Sequence, residues 1–137
     1  FTVNNAATLS ISGAVTGSGA YTVNSGTFNL TGTVTGAGNL TVGTTALPST
    51  ATVSGSGSYT SAIGKDVLLG NTVAGSVGVL NVTGNGEVKV TNNAANNGSI
   101  QLGNFAGASG VINQSGGTVS LESNIVFGSA GSGATGA

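Results

Sequence analysis

The stretch Thr8–Gly26, TLSISGAVTGSGAYTVNSG, is followed without a gap by Thr27–Thr45, TFNLTGTVTGAGNLTVGTT, and then by Ala46–Gly64, ALPSTATVSGSGSYTSAIG. Each stretch is 19 residues long, and the first two are identical at eight positions: Thr8/Thr27, Gly13/Gly32, Val15/Val34, Thr16/Thr35, Gly17/Gly36, Gly19/Gly38, Thr22/Thr41 and Val23/Val42. Leu9/Phe28, Ile11/Leu30 and Tyr21/Leu40 are apolar in both, and the third stretch keeps Leu47, Val53, Gly55, Gly57, Tyr59 and Thr60 in the same columns. Compositional bias scatters matches; it does not hold apolar residues in fixed columns through three units. A short unit repeated in tandem is the signature of a stack in which each unit is one coil.

Each unit divides itself. Leu9-Ser10-Ile11 and Tyr21-Thr22-Val23 alternate apolar and polar residues, the period of a half-buried strand. Val15-Thr16 marks a third, shorter strand, and Gly13, Gly17, Gly19 and Gly26 lie between the strands, where glycine turns a chain without steric cost. A helix is excluded, because each interior glycine costs about 1 kcal/mol there. The fold expected is all-β: a parallel β-solenoid with three short strands per coil. Stacking at a constant spacing predicts interior columns of Leu9, Phe28 and Leu47, of Ile11 and Leu30, and of Tyr21, Leu40 and Tyr59. The outward columns are then Ser12, Thr31 and Thr50, and Thr22, Thr41 and Thr60. Pro48 and Ser49 stand where the earlier units have Ser10/Asn29 and Ile11/Leu30. Proline cannot donate to a ladder, so this strand is expected to be broken or looped out.

From Lys65 the units lengthen. Val67-Leu-Leu69-Gly70-Asn71 is echoed by Ile100-Gln-Leu102-Gly103-Asn104 and by Ile125-Val-Phe127-Gly128-Ser129. Leu80-Asn-Val82-Thr-Gly84-Asn-Gly86-Glu-Val88-Lys-Val90 has its counterpart in Val111-Ile-Asn113-Gln-Ser115-Gly-Gly117-Thr-Val119-Ser-Leu121. The starts at 67, 100 and 125 are 33 and 25 residues apart, and the polar run Thr91–Ser99, TNNAANNGS, accounts for the difference as a corner insertion. Residues 1–137 therefore read as a single domain of about six coils, short 19-residue coils over 1–64 and longer ones over 65–137, the last incomplete. Phe1-Thr2-Val3-Asn4 matches Tyr21-Thr22-Val23-Asn24, so the chain starts partway round a coil. Two explanations of the uncapped ends compete: the residues are an excerpt of a longer solenoid, or each end completes a coil of its neighbour, with end-to-end self-association through Phe1–Asn5 and Ile125–Ala137 as the expected contact. Gly128–Ala137 also reads as a Gly/Ser/Ala linker.

These residues carry a resemblance. The theme of apolar-x-apolar-Gly-Asn, small residues, Gly-x-apolar-Asn and x-Val-x-Val resembles repeats of bacterial autotransporter-type and related giant surface proteins. TLSISG and TVNSGTFNLTG resemble their autotransporter-associated β-strand repeats. The resemblance implies a right-handed β-helix exported to the bacterial cell surface, with no catalytic residues to carry over.

Composition narrows the function. Gly is 26 of 137 residues, charged residues are 4%, and Cys, His, Met and Trp are absent. With 38% apolar residues and a net charge of −1, the chain lacks the low-hydrophobicity, high-charge signature of disorder. Lys65 and Lys89 are its only basic residues. A protein that neutralises several phosphates needs several cations, so no nucleic-acid partner is expected. Polybasic attachment to anionic lipid fails alike, and no apolar run nears the ~18 residues of a membrane span.

Little remains for catalysis. Asp66, Glu87 and Glu122 are the only acids, and Glu87 and Glu122 fall in non-equivalent columns, against the paired carboxylates that polysaccharide cleavage needs. Glu87 and Lys89 flank Val88 and read as an outward, solvated ion pair; Lys65-Asp66 reads as a solvated corner. Without His or Cys there is no nucleophile–base pair of the usual kind and no good transition-metal ligand. Gly-x-Gly at 17–19, 36–38, 55–57 and 84–86 recurs as corners rather than as a phosphate loop, which needs a helix after it. The Asn-x-Ser/Thr triplets at Asn29, Asn39, Asn81, Asn97 and Asn113 follow from composition. Ser10/Ser12, Asn29/Thr31 and Pro48/Thr50 are too irregular for an ice-binding array. No catalytic, cofactor or metal residue is therefore expected. The expected function is a non-enzymatic extracellular structural protein, a subunit of a head-to-tail fibre or matrix filament. The alternative is an adhesin or autotransporter passenger fragment that binds glycans; a polysaccharide-active β-helix enzyme is the remote one.

Overall fold

The computed structural model describes residues 1–128 and 135–137. Its strands wind into three parallel sheets, and each sheet takes every third strand of the chain. The first sheet contains β1 (Thr2–Val3), β4 (Tyr21–Val23), β7 (Leu40–Val42), β10 (Val67–Leu69), β13 (Ile100–Leu102) and β16 (Ile125–Phe127). The second contains β2 (Ala7–Ile11), β5 (Gly26–Leu30), β8 (Ser49–Val53), β11 (Val77–Val82), β14 (Ser109–Gln114) and β17 (Thr135–Gly136). The third contains β3 (Ala14–Thr16), β6 (Thr33–Ala37), β9 (Ser58–Ser61), β12 (Glu87–Val90) and β15 (Thr118–Leu121). This is the parallel β-solenoid expected from the repeat, with three strands per coil. Coils rise along the axis by the strand spacing of ~4.8 Å.

The interior is built from inward columns. Val3, Val23, Val42, Leu69, Leu102 and Phe127 line up in the first sheet, beside Tyr21, Leu40, Val67, Ile100 and Ile125. The second sheet contributes Leu9, Phe28, Ala51, Leu80 and Ile112, and the third Val15, Val34, Tyr59, Val88 and Val119. Most of these are fully buried, at about 1.5–3 kcal/mol for each large side chain. No coil can bury its inner face alone; the stack does it.

The third coil corrects the constant spacing. Residues 43–48 do not form a strand, and pairing resumes at Ser49, whose partner is Gly26. Leu47 is therefore not an interior residue but 62% exposed, and Ala51 takes its place under Phe28. Val53 stacks on Leu30 rather than on Val34, and Tyr59 moves to the third sheet beneath Val34, leaving Val67 under Leu40. The outward columns move too: Thr50 stacks on Thr27 and Thr8, and Thr60 on Thr35 and Thr16. The physical cause is the one that Pro48 announced. A residue without an N–H cannot hold a ladder position, so the corner swells and later strands re-register. Ala51 and Tyr59, a small and a large inward side chain, share this coil, and the core stays filled. The same re-registration splits the Gly-x-Gly corners into two sets: 17–19 and 36–38 lead from the third sheet to the first, whereas 55–57 and 84–86 lead from the second to the third. A smaller slip occurs later, where Leu80 pairs with Ile112 rather than Val111 before Val88 meets Val119.

The Gly-Asn theme has a definite job. Gly70 and Gly103 follow the last inward residue of β10 and β13 with φ of 56° and 57°. A Cβ on Gly70 would sit 2.1 Å from the Ser109 carbonyl oxygen, so both conformation and space demand glycine. The insertion Thr91–Ser99 loops out between β12 and β13, as expected. Of the Gly128–Ala137 segment, residues 129–134 lie outside the described residues; beyond them β17 pairs with β14.

The corrected register makes a direct prediction. Leu47→Ser should change unfolding stability by no more than about 0.5 kcal/mol, while Ala51→Leu overpacks the core and loses about 1–3 kcal/mol. Urea unfolding of the two variants checks this; a large loss at position 47 would restore the constant-spacing register.

Candidate functional site

The three acids are dispersed. Asp66 is not merely a solvated corner residue: its Oδ1 accepts hydrogen bonds from Ser99 N at 2.8 Å and Ser99 Oγ at 2.9 Å, while its own N–H donates to Asn39 Oδ1 at 3.0 Å. It ties three coils together at one corner. Glu122 Oε2 accepts from Asn92 N at 3.0 Å and pins the 91–99 insertion. Glu87 lies on the outward side of β12 between Ser58 and Thr118. Glu87 and Lys89 do share that outward side, but they form no ion pair. Side chains two apart on a strand stand ~6.6–6.8 Å apart, too far for contact without reaching toward one another. Among the described residues no group of three or more His, Cys, Asp or Glu gathers, and no helix is long and apolar enough to cross a membrane.

What the fold does organise is its surface. The second sheet presents two outward ranks over five coils: Thr8, Thr27, Thr50, Val79 and Val111, and Ser10, Asn29, Thr52, Asn81 and Asn113. Neither contains a charge. Three of the Asn-x-Ser/Thr asparagines thus share one column, and Asn113 Nδ2 donates to Asn81 Oδ1 at 3.0 Å. These ranks were hidden in the sequence by the swollen third corner; pairing Thr50 with Thr27 is what reveals them. The third sheet is less uniform, with a bulge between Thr35 and Ala37 and the charged pair in its fourth coil.

The corner that hid the ranks also builds a groove. Residues 43–48 fold back onto Asn24: Thr45 Oγ1 donates to its carbonyl at 2.8 Å, Ser49 Oγ to the same oxygen at 3.0 Å, and Thr44 Oγ1 to its Oδ1. The corner turns of three successive coils, at Asn5 and Ala6, Ser25 and Gly26, and Leu47 and Pro48, together with Thr27 and Thr50 of the second sheet, line a space of about 430 Å³. Asn5 and Ala6 both take left-handed conformations, φ 55° and 58°, held by Asn5 N donating to Ser25 Oγ and Ala6 N to Ser25 O.

The two ends of the described stack form the other candidate. β1, β2 and β3 are outermost at one end, and β16, β17 and β15 at the other. Phe1 is 61% exposed and stacks on Tyr21 at 5.0 Å; Ile125 and Phe127 are 41% and 55% exposed. Tyr21 in turn meets Phe28 at 5.6 Å and Tyr59 edge-on at 6.1 Å. Tyr59 Oη donates to the Gly38 carbonyl at 2.7 Å. Burial raises the Tyr59 phenol well above the ordinary tyrosine value, with a smaller contribution from Tyr21, and burial raises Tyr21 as well.

Tyr59 gives the stack a defined alkaline weakness. The fold holds the neutral phenol, so its stabilisation is complete below the unfolded pKa of about 10. It is lost as pH rises beyond that value, where only the unfolded chain gives up the proton. Denaturant unfolding at stepped alkaline pH should show falling stability, and Tyr59→Phe should flatten the slope. At neutral pH the same variant leaves the Gly38 carbonyl unpaired and costs about 1–3 kcal/mol. A Tyr59 that ionised with the ordinary tyrosine value in the folded chain would contradict this.

Comparison with known proteins finds no matching family model, no matching curated protein and no matching solved structure.

Proposed function

We propose that the chain is a non-enzymatic structural element of the bacterial cell exterior: a rod of stacked coils that works as a unit of a head-to-tail surface fibre or matrix filament. The observation that carries the reading is the pair of open coil faces. Among the described residues, β1, β2 and β3 at one end and β16, β17 and β15 at the other have no strand partner on their outer side, and apolar side chains are exposed there, Phe1 at one end and Ile125 and Phe127 at the other. Unpaired parallel edges template further pairing. Continuing the first-sheet columns sets Val3 of one copy on Phe127 of another, a heterologous contact that does not close on itself. Further coils of the same polypeptide would meet these edges in the same way, which leaves the rod intact and moves only the boundary of its repeating unit. The exterior location is supported by the resemblance of the repeats to bacterial surface proteins.

A second reading is favoured by the charge-free ranks of the second sheet: a surface adhesin, or passenger fragment, that binds glycans. The dispersal of Asp66, Glu87 and Glu122 argues against a polysaccharide-cleaving enzyme.

Negative-stain microscopy of the purified chain at micromolar concentration should show uniform unbranched filaments of one coil-stack width. With few charges at the contact, filament length should change little between low and high salt. Persistent short rods would remove the fibre reading. Glu87→Gln and Glu122→Gln should leave assembly unchanged; a loss of function in Glu87→Gln would reopen the enzymatic one.

A further inference from the structure

The groove beside residues 43–48 combines features that the rod alone does not require. Its Leu47–Pro48 wall stays exposed although it interrupts an otherwise economical corner. The wall is also fixed in place by the three hydrogen bonds to Asn24, so little ordering remains for a ligand to induce. Lining the same space, the Asn5 side-chain amide and the hydroxyls of Thr27 and Thr50 have no hydrogen-bond partner among the described residues. An apolar wall facing a few convergent, unengaged polar groups is the usual make-up of a small-molecule site.

The surroundings select the ligand class. Lys65, Lys89 and all three acids lie outside the groove, so nothing there compensates a charged polymer. An extended peptide cannot add to β5 or β8, because both of their edges are already paired. A flat crystalline lattice such as ice cannot lie across Thr27 and Thr50 with Leu47 and Pro48 standing beside them. An uncharged sugar meets every condition: its hydroxyls both donate and accept, and its C–H face can cover Leu47 and Pro48. The groove also opens onto the rank Thr8, Thr27, Thr50, Val79 and Val111, which gives a linear polymer a path along the solenoid axis.

We propose that this groove is a binding site for a neutral polysaccharide, with Leu47 and Pro48 as the apolar platform and Asn5, Thr27 and Thr50 as the hydrogen-bonding groups. The proposal deepens the glycan-binding reading above and is independent of end-to-end assembly. The test is a titration of the isotope-labelled chain, followed by amide chemical shifts, with cellohexaose, laminarihexaose, maltohexaose and xylohexaose, and with polygalacturonate as the acidic control. At least one neutral oligosaccharide should bind with Kd of about 1 mM or tighter and shift Asn5, Ser25, Thr27, Leu47 and Thr50. Leu47→Asp and Thr50→Val, both at solvent-facing positions and checked for an unchanged fold by the same spectra, should each weaken that binding about tenfold. Shifts confined to another surface would overturn the groove while leaving the glycan-binding reading in place. The absence of shifts with every sugar, polygalacturonate included, would overturn both; stronger binding of polygalacturonate would overturn the neutral-polysaccharide site while leaving the glycan-binding reading in place. Unchanged affinity in both variants would also overturn the groove.

Discussion

Everything in this molecule depends on one constraint: each strand is paired only with strands of the coils before and after it. A parallel ladder offers no tight hairpin and no partner within the same coil. A residue must therefore sit in register with its counterpart one coil away, and the side-chain alternation of a strand converts that register into an inside and an outside. The inner columns are the consequence. Val3 to Phe127 is one continuous apolar line because six successive strands obey the same register.

Strands cannot absorb variation, so corners do. The 19-residue spacing of the first two coils gives way to swollen corners at 43–48, 70–76, 91–99 and 103–108, yet the strand triplets reassemble after each. Glycines at left-handed positions make this possible where the backbone of the next coil comes close, as at Gly70 against Ser109. Polar side chains then tie the loops down: half-buried Asp66 to Ser99, exposed Glu122 to Asn92, and half-buried Thr45 to Asn24. Two of the three carboxylates, Asp66 and Glu122, bond to corner residues. A carboxylate that accepts backbone N–H groups satisfies donors that a loop would otherwise leave unpaired.

The sequence disclosed the architecture because strand periodicity and glycine corners are local signals. The three-strand coil, the looped-out Pro48, the Val67/Ile100/Ile125 alignment, the match of Phe1–Asn4 to Tyr21–Asn24 and the insertion at Thr91–Ser99 could all be read without coordinates. The register of the third coil could not. Its 19-residue match to the earlier units is partly real in composition, but a residue gained in a corner leaves no local mark on the strand that follows. Two alternating strands offset by an even number of residues look alike. Only the packing of Phe28 over Ala51 and of Val34 over Tyr59 decides between them. That one ambiguity concealed both the outward ranks of the second sheet and the groove, since each exists only when Thr50 lies beside Thr27.

The same constraint explains why the surface is nearly uncharged. In a parallel in-register stack, a residue type repeated along a column brings identical side chains to within ~4.8 Å. Two like charges at that distance repel by about 1 kcal/mol even in water and by more where solvent is thinned, and each added coil repeats the penalty. Thr, Ser and Asn carry no such penalty; neighbouring hydroxyls and amides can instead bond to one another, as Asn113 does to Asn81. Glu87 and Lys89 are tolerated because their columns continue as Ser58 and Thr118, and as Thr60 and Ser120. A stack of coils that repeats its own register is thereby driven toward neutral, hydrogen-bonding faces.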